Sequence, residues 1–365
     1  MKNKKIWLFL ALGCLLSGVF FALAGTLLGG IPGFYLDRSG IHTSREAADQ
    51  RMNVFQNTVE LDAFDSMELY ISHAEDVELI PSDHYAVEYR TFGNSDEPVC
   101  RVENGRLIFQ ETASSPYSDS RIWFLYASPD FSRTKDPESG PYFVKISYPE
   151  NQDFTDAVIR MESGNLKLPL LNMNSLEIRN EYGDVSMEDW TGNTLNLFMS
   201  SGNLTAGTVA ADQAQLENEY GSVALEGYTG NTLDICMSSG NLSVGSVQAE
   251  QTTLQNEYGE ILIGQASGDS LNANLSSGSL LADRLDVTDL KVKNEYGTVR
   301  VRLPEEISGY GYQLKTEYGS ILLDGRKLTD SDEDENEASY SSAGTNGKTV
   351  EISCSSGDII IDPVP

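Results

Sequence analysis

The chain has 365 residues, 40% of them hydrophobic, with 32 glycines and 12 prolines, so it has room for about two domains and is neither collagen-like nor wholly disordered. Its 25 Lys and Arg against 55 Asp and Glu give a formal net charge of −30, which excludes nucleic acid as a partner because binding phosphate needs clustered cations. Four cysteines, Cys14, Cys100, Cys236 and Cys354, are too few for a disulfide scaffold at this length.

Lys2, Lys4 and Lys5 precede an uncharged run from Ile6 to Leu36. As a helix, its first 23 positions would span the hydrocarbon core of a bilayer. Basic residues before the run predict a cytoplasmic tail over 1–5, a transmembrane anchor over 6–30 and an extracytoplasmic remainder, hence a single-pass protein of the cell membrane. Two alternatives stay open: a signal peptide cleaved after Ala22-Leu23-Ala24, and lipidation at Cys14, which has only a short apolar run before it.

A polar stalk is expected over 31–53. Over 54–150, strand-like runs such as Met67–Ile71, Asp76–Ile80, Tyr85–Phe92, Arg106–Phe109 and Tyr142–Tyr148 predict a β-rich cap shielding the first coil of the C-terminal repeat. The Ser/Pro/Asp-rich stretch 113–140 reads as a loop with one strand, Ile122–Tyr126.

From 151 onward a repeat dominates. The 38-residue segments starting at Asn180 and Asn218 agree at 22 positions, and glycines fall at 164, 183, 202, 221, 240, 259, 278 and 297, every step being 19. The motifs alternate: ESG or SSG at one glycine, EYG at the next. Three columns are apolar throughout: five residues before each glycine (Ile178, Leu197, Leu216), two after it (Val185, Leu204, Val223) and four after it (Met187, Ala206, Leu225). Period-two alternation stacked unit upon unit predicts a parallel β-solenoid over 151–365, with rungs of about 19 residues. A 38-residue coil stays open. The inward phase flips at each glycine, which asks for a corner closed to other residues. Three residues before the glycine, Met161, Met199, Met237, Leu275 and Cys354 alternate with Asn180, Asn218, Asn256 and Asn294. The tyrosine of EYG then reads as a corner filler that keeps the packed volume constant. Residues 329–348, with DSDEDENE at 330–337, predict an acidic insertion loop. Asp330, Asp332 and Asp334 faintly imitate a calcium loop, but Glu335 and Ser341 stand where Gly and Glu are needed.

In its DVELIPSD turn (76–83), its YFVKISYPE strand (142–150) and its tandem SGN and EYG rungs, the chain resembles a bacterial family of unknown function. Its members are labelled candidate adhesins and described as toast-rack-like. The resemblance implies an envelope-associated protein, in some members linked to envelope-stress regulation, and carries over no catalytic residue.

Chemistry is hard to place. His42, His73 and His84 lie outside the repeat, no Cys/His spacing suits a metal, and no nucleophile elbow or P-loop occurs. Glu181, Glu219, Glu257, Glu295 and Glu317 recur as a column, which suits architecture better than one active site. No catalytic, cofactor-binding or metal residue is assigned, and no cofactor is expected. Tyr182, Tyr220, Tyr258, Tyr296 and Tyr318 invite a reading as sugar-stacking platforms, with corner filling as the favoured alternative. The function expected is a membrane-anchored, adhesin-like structural or binding module at the cell envelope. Its partner would be an envelope polymer or a membrane or envelope protein, with the membrane itself engaged through the N-terminal helix. An accessory to an envelope-stress sensor and, more remotely, a polysaccharide-active β-helix enzyme are the alternatives.

Overall fold

Leu204, Val223, Leu242, Ile261 and Leu280, each nineteen residues after the last, are consecutive partners in parallel strand pairing. One coil is therefore 19 residues, and the 38-residue alternative falls. The structure, a computed structural model, describes residues 34–37, 40–43, 53–72, 76–93, 97–111, 122–124, 140–304, 306–328 and 337–365.

The chain forms two units, one of residues 1–55, 92–97 and 112–141, the other of 56–91, 98–111 and 142–365. In the first, Phe34–Asp37 lies between Gly40–Thr43 and Ile122–Phe124 in an antiparallel sheet. Two of these strands fall where the sequence predicts a stalk.

The second unit is the solenoid. In the coil 204–220 the inward residues come as Leu204 and Ala206, then Val209 and Ala211, then Ala214, Leu216 and Asn218. Three inward runs separated by phase flips make a three-sided coil. Two of these sides follow the apolar columns read from the sequence. The third lies seven and nine residues after each glycine: from Gly164 to Gly278 the seventh is apolar in every rung (Leu171, Trp190, Val209, Tyr228, Val247, Ala266, Leu285), while the ninth falls to Gly at 192, 230 and 268. Trp190 and Tyr228 are buried beside Gly192 and Gly230, where a Cβ would collide with their rings and with the backbone of the rung below. The buried Tyr228 hydroxyl donates to the carbonyl of Thr232 (2.6 Å), with that of Ala211 at 2.9 Å as its alternative acceptor.

Both ends of the stack are interleaved. At the start, the rung 66–82 pairs with 154–168 on one side and with Arg106–Gln110 and Phe143–Pro149 on the other. So part of the expected cap is itself a rung of the solenoid, and the chain steps over it between Pro149 and Phe154. At the finish, Thr349–Ser356 and Ile359–Pro363 slot between the rung 289–303 and the outer strands Gly311–Tyr318 and Ile321–Leu323. Outermost strands on each end are covered by antiparallel ones: Val99–Glu103 and Ala86–Gly93 at the start, Ala338–Ser342 and Arg326–Leu328 at the finish. Ala338–Ser342 lies within the predicted acidic loop, whose residues 329–336 fall outside the described ones, the calcium-like aspartates among them.

One expectation is corrected. Among the described residues the regular elements are strands and one short 3-10 turn, Ile307–Gly309, and no helix is long and apolar enough to cross a membrane. The transmembrane helix over 6–30 lies outside the described residues and is not part of the fold class, which is an all-β repeat structure. The membrane tether, the single-pass topology, the cell-membrane location and the membrane as partner, all of which rested on that helix, are withdrawn with it.

Candidate functional site

Each glycine corner is built from four consecutive roles. Three residues before the glycine the side chain points in, and in every second rung it is a buried Asn. Its amide donates to the glycine carbonyl of the preceding rung: Asn218 to Gly202 (3.0 Å), Asn256 to Gly240 (2.9 Å), Asn294 to Gly278 (3.0 Å). Thr316 does the same for Gly357 (2.8 Å). The Asn and Met alternation is thus a hydrogen-bonding device more than a volume device. The glycine adopts φ between +110° and +143° from Gly164 to Gly297 and at Gly357, and a Cβ on Gly183 would strike the carbonyl of Gly164; both demands exclude any other residue. After it, a polar side chain caps the amide one rung on: Asn165 accepts from Asp184 N (3.0 Å), Asp184 from Asn203 N (2.7 Å), Asn203 from Ser222 N (3.0 Å), Asn241 from Glu260 N (3.0 Å).

The residue just before the glycine is where the structure departs from the favoured reading. Tyr182, Tyr220, Tyr258, Tyr296 and Tyr318 do not fill the corner; each is 61–63% exposed. The residue three before the glycine is the last to point inward, so the chain has left the core when it reaches the tyrosine. Strand partners run Tyr182, Ser201, Tyr220, Ser239, Tyr258, Ser277, Tyr296, Ser356, Tyr318. Strict alternation survives at the end only because the C-terminal rung is inserted between two EYG rungs. With strands ~4.8 Å apart, the rings recur about every 9.6 Å along a line of roughly 38 Å.

Glu181, Glu219, Glu257, Glu295 and Glu317, one residue before each tyrosine, are exposed as well. They border a face on which a groove of about 560 Å³ runs across the rungs from Cys236 to Ser355, lined by Gln255, Asn274, Lys293 and Lys315 among others. Lys315 is held by Glu337 at 2.9 Å. Toward the start of the stack the same face carries Arg179, whose guanidinium lies 4.6 Å from the Phe198 ring centre. Cys236 at the groove is exposed, and partial burial, then the charges of Glu217 and Glu257, push its thiol pKa up.

Among the described residues no three His, Cys, Asp or Glu side chains are grouped to hold a metal ion. His84 is exposed and bonded to Asp83 at 2.7 Å, which raises its pKa. Arg300, on the strand Val299–Leu303, pairs with Asp362 (3.1 Å), and Tyr310 and Tyr312 are buried.

The Toastrack DUF4097 family model matches residues 64–246 and 195–362. Among solved structures, a candidate adhesin from Parabacteroides distasonis ATCC 8503 is 14% identical with a TM-score of 0.40, over 70% of this chain and 94% of that one. A candidate adhesin from Bacteroides fragilis NCTC 9343 is 14% identical with a TM-score of 0.37, over 69% and 98%. A protein described as a candidate lipid binding protein, also from Parabacteroides distasonis ATCC 8503, is 12% identical with a TM-score of 0.31, over 86% and 97%. No curated protein matches the chain.

Proposed function

The chain belongs to the Toastrack DUF4097 family, and from that premise we propose that it is an extracytoplasmic, adhesin-like β-repeat module that binds an extended partner and performs no chemistry. The observation that carries this is the line of five exposed tyrosines, repeated at fixed spacing on a rigid stack. A catalytic site needs a unique cluster of groups with matched pKa values; a column repeated in every second rung offers the same modest contact five times over. Five weak contacts held in register act as one strong one when the partner is itself long.

The test compares the full chain with a Tyr220→Ser/Tyr258→Ser/Tyr296→Ser variant on a panel of envelope polysaccharides and envelope proteins. Serine already occupies this position in the intervening rungs, so the variant keeps the fold. Binding should grow with polymer length and fall steeply in the variant. Length-independent binding that the variant retains would sink the reading, as would turnover of a polysaccharide abolished by changing one carboxylate.

A further inference from the structure

Resting on that reading, we propose that the ligand class is a β-linked polysaccharide bearing amino groups, laid along the tyrosine line with one disaccharide per two rungs. Three features point there. An aromatic face exposed at a corner stacks on the apolar C–H face of a sugar ring, and each ring here is open to solvent over most of its area. In an extended β-linked chain successive sugars are turned over, so the same sugar face recurs once per disaccharide. The length of that repeat is close to the about 9.6 Å between tyrosines two strands apart. The intervening Ser201, Ser239, Ser277 and Ser356 leave a gap at each inverted sugar, where a second aromatic ring would meet the wrong face.

The amino group is inferred from charge. A glutamate immediately precedes every tyrosine of the line in the chain, from Glu181 to Glu317, with Glu257, Glu295 and Glu317 opening onto the adjoining groove, and the chain as a whole carries −30. Uronate-rich and phosphate-rich polymers are repelled by that surface. A polymer with one or two ammonium groups per disaccharide meets one carboxylate per repeat instead. Each such exposed pair is weak and screened by salt, so recognition requires several in register. The lysines on the neighbouring face do not reverse the sign: Glu257, Glu295 and Glu317 line the groove with Lys293 and Lys315, and Lys315 is itself paired to Glu337.

The experiment is calorimetry on the full chain with glucosamine β-linked oligomers of two to ten sugars, their N-acetylated counterparts, cello-oligosaccharides and poly-lysine. Affinity for the glucosamine oligomers should rise severalfold with each added disaccharide and fall at least tenfold in the triple Tyr→Ser variant. Glu219→Gln/Glu257→Gln/Glu295→Gln should bring glucosamine oligomers down to the level of the N-acetylated ones. Poly-lysine binding as tight as the amino-sugar, untouched by Tyr→Ser, overturns the proposal in favour of charge alone. Cello-oligosaccharides binding as tightly as the amino-sugar overturn the amine assignment and leave the tyrosine platform standing. If no sugar oligomer binds while the Tyr→Ser variant still loses another envelope polymer, the sugar class is wrong and the broader function survives; if that variant loses nothing on any partner, both fall.

Discussion

At a single corner the sequence motif N-E-Y-G divides its labour cleanly. Asn holds the previous rung's carbonyl, Gly takes the backbone where no side chain fits, and Glu and Tyr are free of structural duty. The buried Asn is then the residue on which stability depends. Asn256→Ala loses the part-buried bond to the Gly240 carbonyl and should cost about 0.5–1.5 kcal/mol, read as a lowered urea midpoint; Tyr258→Ser should leave that midpoint unchanged. Equal losses from both would mean that the tyrosine packs after all. Cysteine reactivity gives a second check at this scale. Cys100 and Cys354 are pushed up by burial to about 11 and about 12, and Cys236 is also raised, first by burial and then by Glu217 and Glu257. Only the thiolate reacts. A raised pKa means less thiolate below the ordinary value of 9.0, so alkylation of Cys236 at pH 8 should be slower than that of a free thiol and should accelerate as pH rises past 9. Glu257→Gln should speed it, while Cys354, 4% exposed, stays unmodified until unfolding. Peptide-resolved mass spectrometry separates the sites, and a Cys236 that reacts faster than free cysteine would contradict this environment.

At the scale of strands and rungs, legibility in the sequence depends on whether a rung announces its own register. Between Asn180 and Gly297 each corner repeats the same letters, so the 19-residue step, the parallel pairing and two of the three faces can be read from spacing alone. The third face is only half marked: the residue seven after each glycine from Gly183 to Gly278 (Trp190, Val209, Tyr228, Val247, Ala266, Leu285) is apolar, but its partner nine after falls to Gly at 192, 230 and 268 and so shows no apolar alternation. The rung 66–82 reads as cap because no glycine marks its corner; there Ser72 N donates instead to the buried carboxylate of Glu111 (2.6 Å). The inserted C-terminal rung does leave a mark in the letters: EYG at 297 is followed by EYG at 319, and the missing SSG stands at 357. Interleaving reverses the usual expectation that chain ends fray. Val350, Ile352, Ile359 and Ile361 are buried between two rungs, so their amides should exchange with deuterium as slowly as those of 242–258. Should 349–363 instead exchange first, ahead of 311–323, the C-terminal strands lie outside the stack.

For the solenoid unit as a whole, a stack in which each rung touches only its neighbours is nearly one-dimensional, and its stability is a sum of rung and interface contributions. The weak point of such a design is the open edge, and here each end carries an interleaved rung and antiparallel covering strands, leaving the middle as the place where a single change tells most. Val223 is 1% exposed and stacked between Leu204 and Leu242. Val223→Asp gives up roughly 1.5–3 kcal/mol of apolar burial, and an unpaired buried carboxylate adds a further penalty. Since the covered ends hold the flanking rungs, the damage should open the stack near 204–242 before it unfolds either end, giving a broadened or two-step melt in place of one cooperative transition. The same break divides the tyrosine line, separating Tyr182 and Tyr220 from Tyr258, Tyr296 and Tyr318. Affinity for a long polymer should therefore drop to that for an oligomer reaching three rings, while affinity for short oligomers stays the same. Melting unchanged by this substitution would refute the inward placement of the column. A melt that shifts while long and short oligomers lose affinity in equal proportion would show that the rings do not act in register, and with that the continuity of the line would cease to explain binding.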